Sequence, residues 1–124
     1  MHIANLEQLE QFTTLDGSGI RELAGPSWTQ AQNQSLAEAS VPAGGQTAEH
    51  YHRATEEIYY FTAGRGHMKL GDEEAEVKAG DCVVIPPGTP HKLWADDDEP
   101  LVLLCCCAPA YSDADTVITE PNNA

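Results

Sequence analysis

With 124 residues, 20 of them acidic and only 6 basic, the chain carries a formal net charge of −14. That surplus excludes nucleic acid as a partner, because phosphate contacts need clustered Lys and Arg, and it disfavours anionic membranes for the same reason. A hydrophobic share of 41% suits one core and one domain over residues 1–124, while no apolar run approaches the roughly 20 residues of a membrane span.

The start, MHIANLEQLEQF, lacks the basic and apolar regions of a secretion signal, so a cytoplasmic address is expected. Residues 5–12 have spacing for one or two helical turns. Beyond them the chain is predicted all-β, with short apolar or alternating runs divided by Gly, Pro and Asp turns. Strands are expected at Gly19–Leu23, at Gln34–Val41, around His50 and at Glu57–Thr62, the last dense in Ile, Tyr and Phe. A hairpin follows, with His67–Leu70 and Ala75–Lys78 as arms and Gly71–Glu74 as its turn. Cys82–Ile85 is stopped by Pro86-Pro87-Gly88, and His91–Ala95, Leu101–Ala108 and a short Thr116–Thr119 complete the set before a polar PNNA end. The core barrel is expected at about 19–110, with 1–18 and 111–124 as extensions.

The acidic runs Asp72-Glu73-Glu74 and Asp96-Asp97-Asp98-Glu99 read as solvated turns, the second lacking the spaced oxygens and turn glycine of a calcium loop. Solubility and adaptation to high salt both account for the charge. Cys82 and the consecutive Cys105, Cys106 and Cys107 make no C-x-x-C pair. Neighbours on a strand point to opposite faces, so free buried thiols are expected, in keeping with a reducing compartment.

His50 and His52, one residue apart, project from the same face of a strand. Glu57 lies five residues on, past a turn at 53–55, where a return strand can bring its carboxylate beside the two rings. His91, after the Pro-Gly turn, offers a third imidazole from another strand. Three imidazoles and one carboxylate suit a divalent transition metal (Fe, Mn, Ni, Zn, Co or Cu) and leave coordination positions open, unlike closed structural zinc sites. If Glu57 points inward, so do Tyr59 and Phe61, and Leu93 follows His91. Tyr59 is a candidate hydrogen-bond donor to substrate, with a plain aromatic core role as its alternative. His67 is a candidate fifth ligand or pocket base, or else a surface or core histidine. Arg21 is a candidate clamp for a substrate carboxylate, the alternative being an ion pair with Glu22 or another acid. Gln34 is a weaker candidate for an inward polar contact, and any of Cys105, Cys106 and Cys107 can reach the cavity, although an apolar packing role is expected of them.

Gly44, five residues, His50-Tyr51-His52, four residues, Glu57, six residues and Gly64 match the first cupin motif; Gly80, five residues, Pro86-Pro87-Gly88, two residues and His91 match the second. The chain therefore resembles the cupin superfamily, in the small single-domain form with a 15-residue spacer, over Gly44–His91. It departs at Ala95, where the family usually has an Asn that is not a ligand. The resemblance implies a double-stranded β-helix, or jelly roll, with the metal inside near one mouth and turn conformations at glycines 44, 64, 80 and 88. It also implies a homodimer of paired sheets, and a metal-dependent enzyme acting on a small organic acid, phenol or sugar derivative. Dioxygenase chemistry ranks ahead of isomerase, epimerase or lyase chemistry, with a non-catalytic ligand-binding cupin as the alternative.

Overall fold

The computed structural model describes residues 1–120; the PNNA end lies outside the described residues. Eleven strands follow one another as β1 Phe12–Thr13, β2 Gly19–Ala24, β3 Ser35–Val41, β4 His50–His52, β5 Glu56–Ala63, β6 Arg65–Leu70, β7 Glu73–Lys78, β8 Cys82–Ile85, β9 His91–Ala95, β10 Leu101–Ala108 and β11 Thr116–Ile118. They form two facing antiparallel sheets, ordered β1-β2-β3-β10-β5-β8 and β11-β4-β9-β6-β7. Chain neighbours repeatedly fall in different sheets, as a jelly roll requires. Among the described residues, no helix is long and apolar enough to cross a membrane.

The alternation in β5 decides what lies between the sheets. Glu57, Tyr59 and Phe61 are buried, whereas Ile58 and Tyr60 are exposed. Leu93 likewise follows His91 inward. Phe61, Ile85, Leu101, Leu103 and Val41 are almost fully buried and form the centre of the core. The four motif glycines all adopt positive φ. At Gly64 any side chain is excluded twice over, since an added Cβ would also fall 2.1 Å from the Pro100 carbonyl oxygen.

The ends differ from expectation. Residues 5–12 give only a three-residue 3-10 turn, Leu6–Gln8, capped by Asn5, and then β1, whose Phe12 pairs with Ile20. A helix of two turns is too short to outweigh its nucleation cost when an open sheet edge is available. The hairpin turn is also tighter than expected. Leu70 pairs with Glu73 around Gly71, whose φ of +59 suits a two-residue turn, so Glu73 and Glu74 belong to the strand. Both extensions join the sheets, β1 at the edge of the first and β11 beside β4.

Candidate metal centre

The three imidazoles reach one point from two neighbouring strands. His50 and His52 share the inner face of β4, and His91 of β9 is the cross-strand partner of His50. All three are buried, and one nitrogen of each lies within 4.8 Å of the others. Their outer nitrogens fix their protonation. His50 Nδ1 and His91 Nδ1 each donate to a carbonyl two residues before, Ala48 and Thr89, at 2.9 Å. His52 Nδ1 lies 2.9 Å from Thr116 Oγ1, which itself donates to the Ser112 carbonyl and therefore accepts from the ring. This network assigns the proton to Nδ1 in every ring and leaves three Nε2 lone pairs pointing inward.

Glu57 enters from the opposite sheet. Its Oε1 stands 3.1 Å from His52 Nε2 and 3.5 Å from His91 Nε2. Its Oε2 accepts from the Cys107 thiol at 3.3 Å, a weak bond that holds the carboxylate plane. Burial pushes the Glu57 carboxyl up, whereas a proton on His52 or His91 Nε2, hydrogen-bonded to it, would bring it down to about 2, and a cation in that proton's place holds the carboxylate ionised in the same way. Burial, then His91, lowers the His50 pKa, which keeps that ring neutral. Four acceptors thus converge with no donor among them, and His91 Nε2 is buried without any hydrogen-bond partner. Such an arrangement costs free energy unless a cation lies at its centre, so the residues present fit a divalent metal.

The centre opens into a cavity of about 340 Å³ with an apolar wall that includes Ile20, Ala37, Ala39, Val41, Leu93 and Leu103. Tyr59 lines it, its ring 5.9 Å from that of His91. Burial and the nearby Glu57 raise the Tyr59 pKa, so its hydroxyl stays protonated and able to donate. Cys105 and Cys107 also line the cavity, and burial raises both thiols. All four cysteines are free, but Cys82 is exposed and Cys106 half-buried, so only two of them are the buried thiols expected.

Three other expectations need correction. His67 stands on the outer face of β6, between Glu76 at 2.9 Å and Glu74 at 2.8 Å, and does not line the cavity. Its neighbours Gly66 and Met68 are the buried members of that strand, so alternation turns His67 outward. Arg21 also faces away; it pairs with Glu38 and donates to the Leu6 carbonyl, while Ile20 and Glu22 line the cavity. Gln34 is exposed and precedes β3, and Ser35 takes the place at the cavity. Phe61 points inward as expected and packs against Tyr59 in the core rather than at the cavity wall.

Four contributors were not anticipated. Thr116 orients His52, Tyr111 packs edge-on against His52 at 5.7 Å, and Cys107 braces Glu57. The fourth, Asp16, places Oδ2 3.7 Å from His50 Nε2. Its signal in the sequence is the turn Thr14-Leu15-Asp16-Gly17-Ser18, in which Gly17 has a φ of +89. Composition gives such a turn no reason to face a site three strands away in the chain.

A family model of the cupin domain matches residues 37–107. The chain belongs to the cupin family. An uncharacterized protein of Methanocaldococcus jannaschii is 49% identical over 114 residues, covering 92% of this cupin and 91% of that protein. Solved structures share the fold at lower identity. The polyketide cyclase RemF from Streptomyces resistomycificus superposes with a TM-score of 0.82 at 20% identity, covering 98% of this chain and 87% of its own. The Streptomyces nucleoside dehydratase Pac13 gives a TM-score of 0.79 at 19% identity, covering 97% and 92%. At these identities the likeness speaks for the jelly roll alone.

Proposed function

We propose that this cupin is a metal-dependent enzyme acting on a small organic molecule, its ion held by His50, His52, His91 and Glu57. One observation carries the reading: three inward lone pairs and an ionised carboxylate converge at a cavity large enough for a small ligand. A bound divalent ion (iron, manganese, nickel, zinc, cobalt or copper) supplies Lewis-acid polarisation and, as iron or copper, a redox centre. The chain does the rest. Tyr59 offers a hydroxyl donor, the aliphatic wall excludes water, and Thr116 and Cys107 hold His52 and Glu57 in place.

Dioxygenase-type chemistry is the first class to test, because a mixed site with open positions facing an apolar chamber suits dioxygen. Isomerase, epimerase or lyase chemistry is the second. It is favoured by the Asp16 carboxylate beside His50. Metal content, measured on protein purified without chelators or a nickel column beside His52→Ala, tests the site. About one equivalent lost in the variant is expected, and no metal after reconstitution refutes it. Oxygen consumption with phenols and sugar derivatives separates the two classes. A ligand that binds tightly and is returned unchanged by the metal-loaded protein would mark a binding protein instead.

The same reading includes a homodimer. The outer face of the first sheet carries Leu36, Cys106, Ile58 and Val84 side by side across four strands, with Tyr60 exposed beside them. An apolar row of this kind on so acidic a chain is best covered by a second copy. Four free cysteines support a reducing, cytoplasmic setting.

A further inference from the structure

The charges around the cavity point to a class of ligand. Besides Glu57, the carboxylates Asp16, Glu22 and Asp113 line it, and none of the six Lys and Arg does. Asp16 is the most fixed of these. Its Oδ1 accepts from Thr14 Oγ1 at 2.8 Å, Ser18 N at 2.9 Å and Ser18 Oγ at 2.6 Å. Oδ2 faces His50 Nε2 at 3.7 Å. Beside it lies the buried, unpartnered His91 Nε2. Glu57 and Asp16 together cancel the charge of a divalent ion, so an anion gains no net attraction on entering, and Glu22 and Asp113 repel it.

We propose, resting on the metal reading above, that the cavity takes a small ligand without an anionic group. Such a ligand is an alcohol, sugar hydroxyl or amine whose O–H or N–H donates to Asp16 Oδ2 while its carbon skeleton meets the aliphatic wall. Organic acids, among the substrates the family resemblance suggested, are disfavoured, because the Arg21 that was to clamp them is spent on Glu38 on the outer face.

Calorimetric titration of the metal-loaded protein with formate and with imidazole tests this, beside Asp16→Asn, which keeps an acceptor oxygen for Thr14 and Ser18. Two unit charges about 4 Å apart interact by roughly 1 kcal/mol even in water, which is about a fivefold change in affinity. Formate is therefore expected to bind at least about fivefold more tightly to Asp16→Asn, whereas imidazole, whose N–H loses the Asp16 Oδ2 acceptor, does not tighten. Equal formate affinity in the two proteins overturns the proposal. Benzylamine, benzyl alcohol and benzoate form a matched set of cavity size, and benzoate as the tightest of the three overturns it as well. If no metal is retained, the metal reading fails separately, and the same three compounds on the metal-free protein still decide the charge preference.

Discussion

Thr116→Val isolates the orientation of one ligand from the ligand itself. The substitution keeps the branched shape and removes Oγ1, which accepts from His52 Nδ1 and donates to the Ser112 carbonyl, both at 2.9 Å. Thr116 is partly exposed, so losing two neutral hydrogen bonds is expected to cost the metal-free fold about 1–2 kcal/mol. The metal should feel more. Without its acceptor the His52 ring is free to turn or to carry its proton on Nε2, and loss of such an outer partner typically weakens metal binding about 10- to 100-fold. At a free metal concentration about 100 times the wild-type Kd, binding stabilises the wild type by about 2.7 kcal/mol, and the variant by only about 1.4 to 0.4 kcal/mol. For a chain of this length about 4 °C accompanies each kcal/mol, so the gap in Tm between loaded and metal-free protein should shrink from about 11 °C to about 2–6 °C. Scanning calorimetry with and without a chelator reads the gap, and competition with a chromogenic chelator reads the Kd directly. A variant that loses stability in both forms equally, with the metal Kd unchanged, would show that Thr116 serves only the fold and that His52 is not held as argued.

Three further outcomes are expected. His67 should titrate above its ordinary range, because Glu74 and then Glu76 hydrogen-bond its imidazolium; NMR of the ring protons reads this, and Glu74→Gln should lower it. With its folded pKa raised, His67 stabilises the fold below about pH 6.5 and loses that contribution as the pH rises through the folded value. In so exposed a cluster the amount is below about 1 kcal/mol, so a larger loss would be inconsistent. Phe61→Ala removes a fully buried ring from the core and should cost about 3–5 kcal/mol in urea unfolding, whereas a cost under 1 kcal/mol would mean the core is not packed as described. Ile58→Glu, in the middle of the outer apolar row, should convert a dimer to a monomer by light scattering, and a wild type that is already monomeric removes the dimer from the reading.

The sequence by itself determined the strand-rich architecture, the four motif residues and the phase of β5. Motif spacing fixes which residues flank each turn, and period-two alternation then carries the inward face from Glu57 to Tyr59 and Phe61. The same logic, applied to β6 from buried Met68, turns His67 outward. Arg21 was less legible, because the run Gly-Ile-Arg-Glu-Leu-Ala has no clean alternation, and only packing of Ile20 and Glu22 against the cavity sets its face. What the tertiary structure alone decided came from the extensions. Asp16, Tyr111 and Thr116 lie well outside the motifs, yet β1 and β11 join the edges of the two sheets and bring all three beside His50 and His52. No local pattern encodes such a meeting, since it follows from which sheet edge is left open to pair once the barrel has closed around its core.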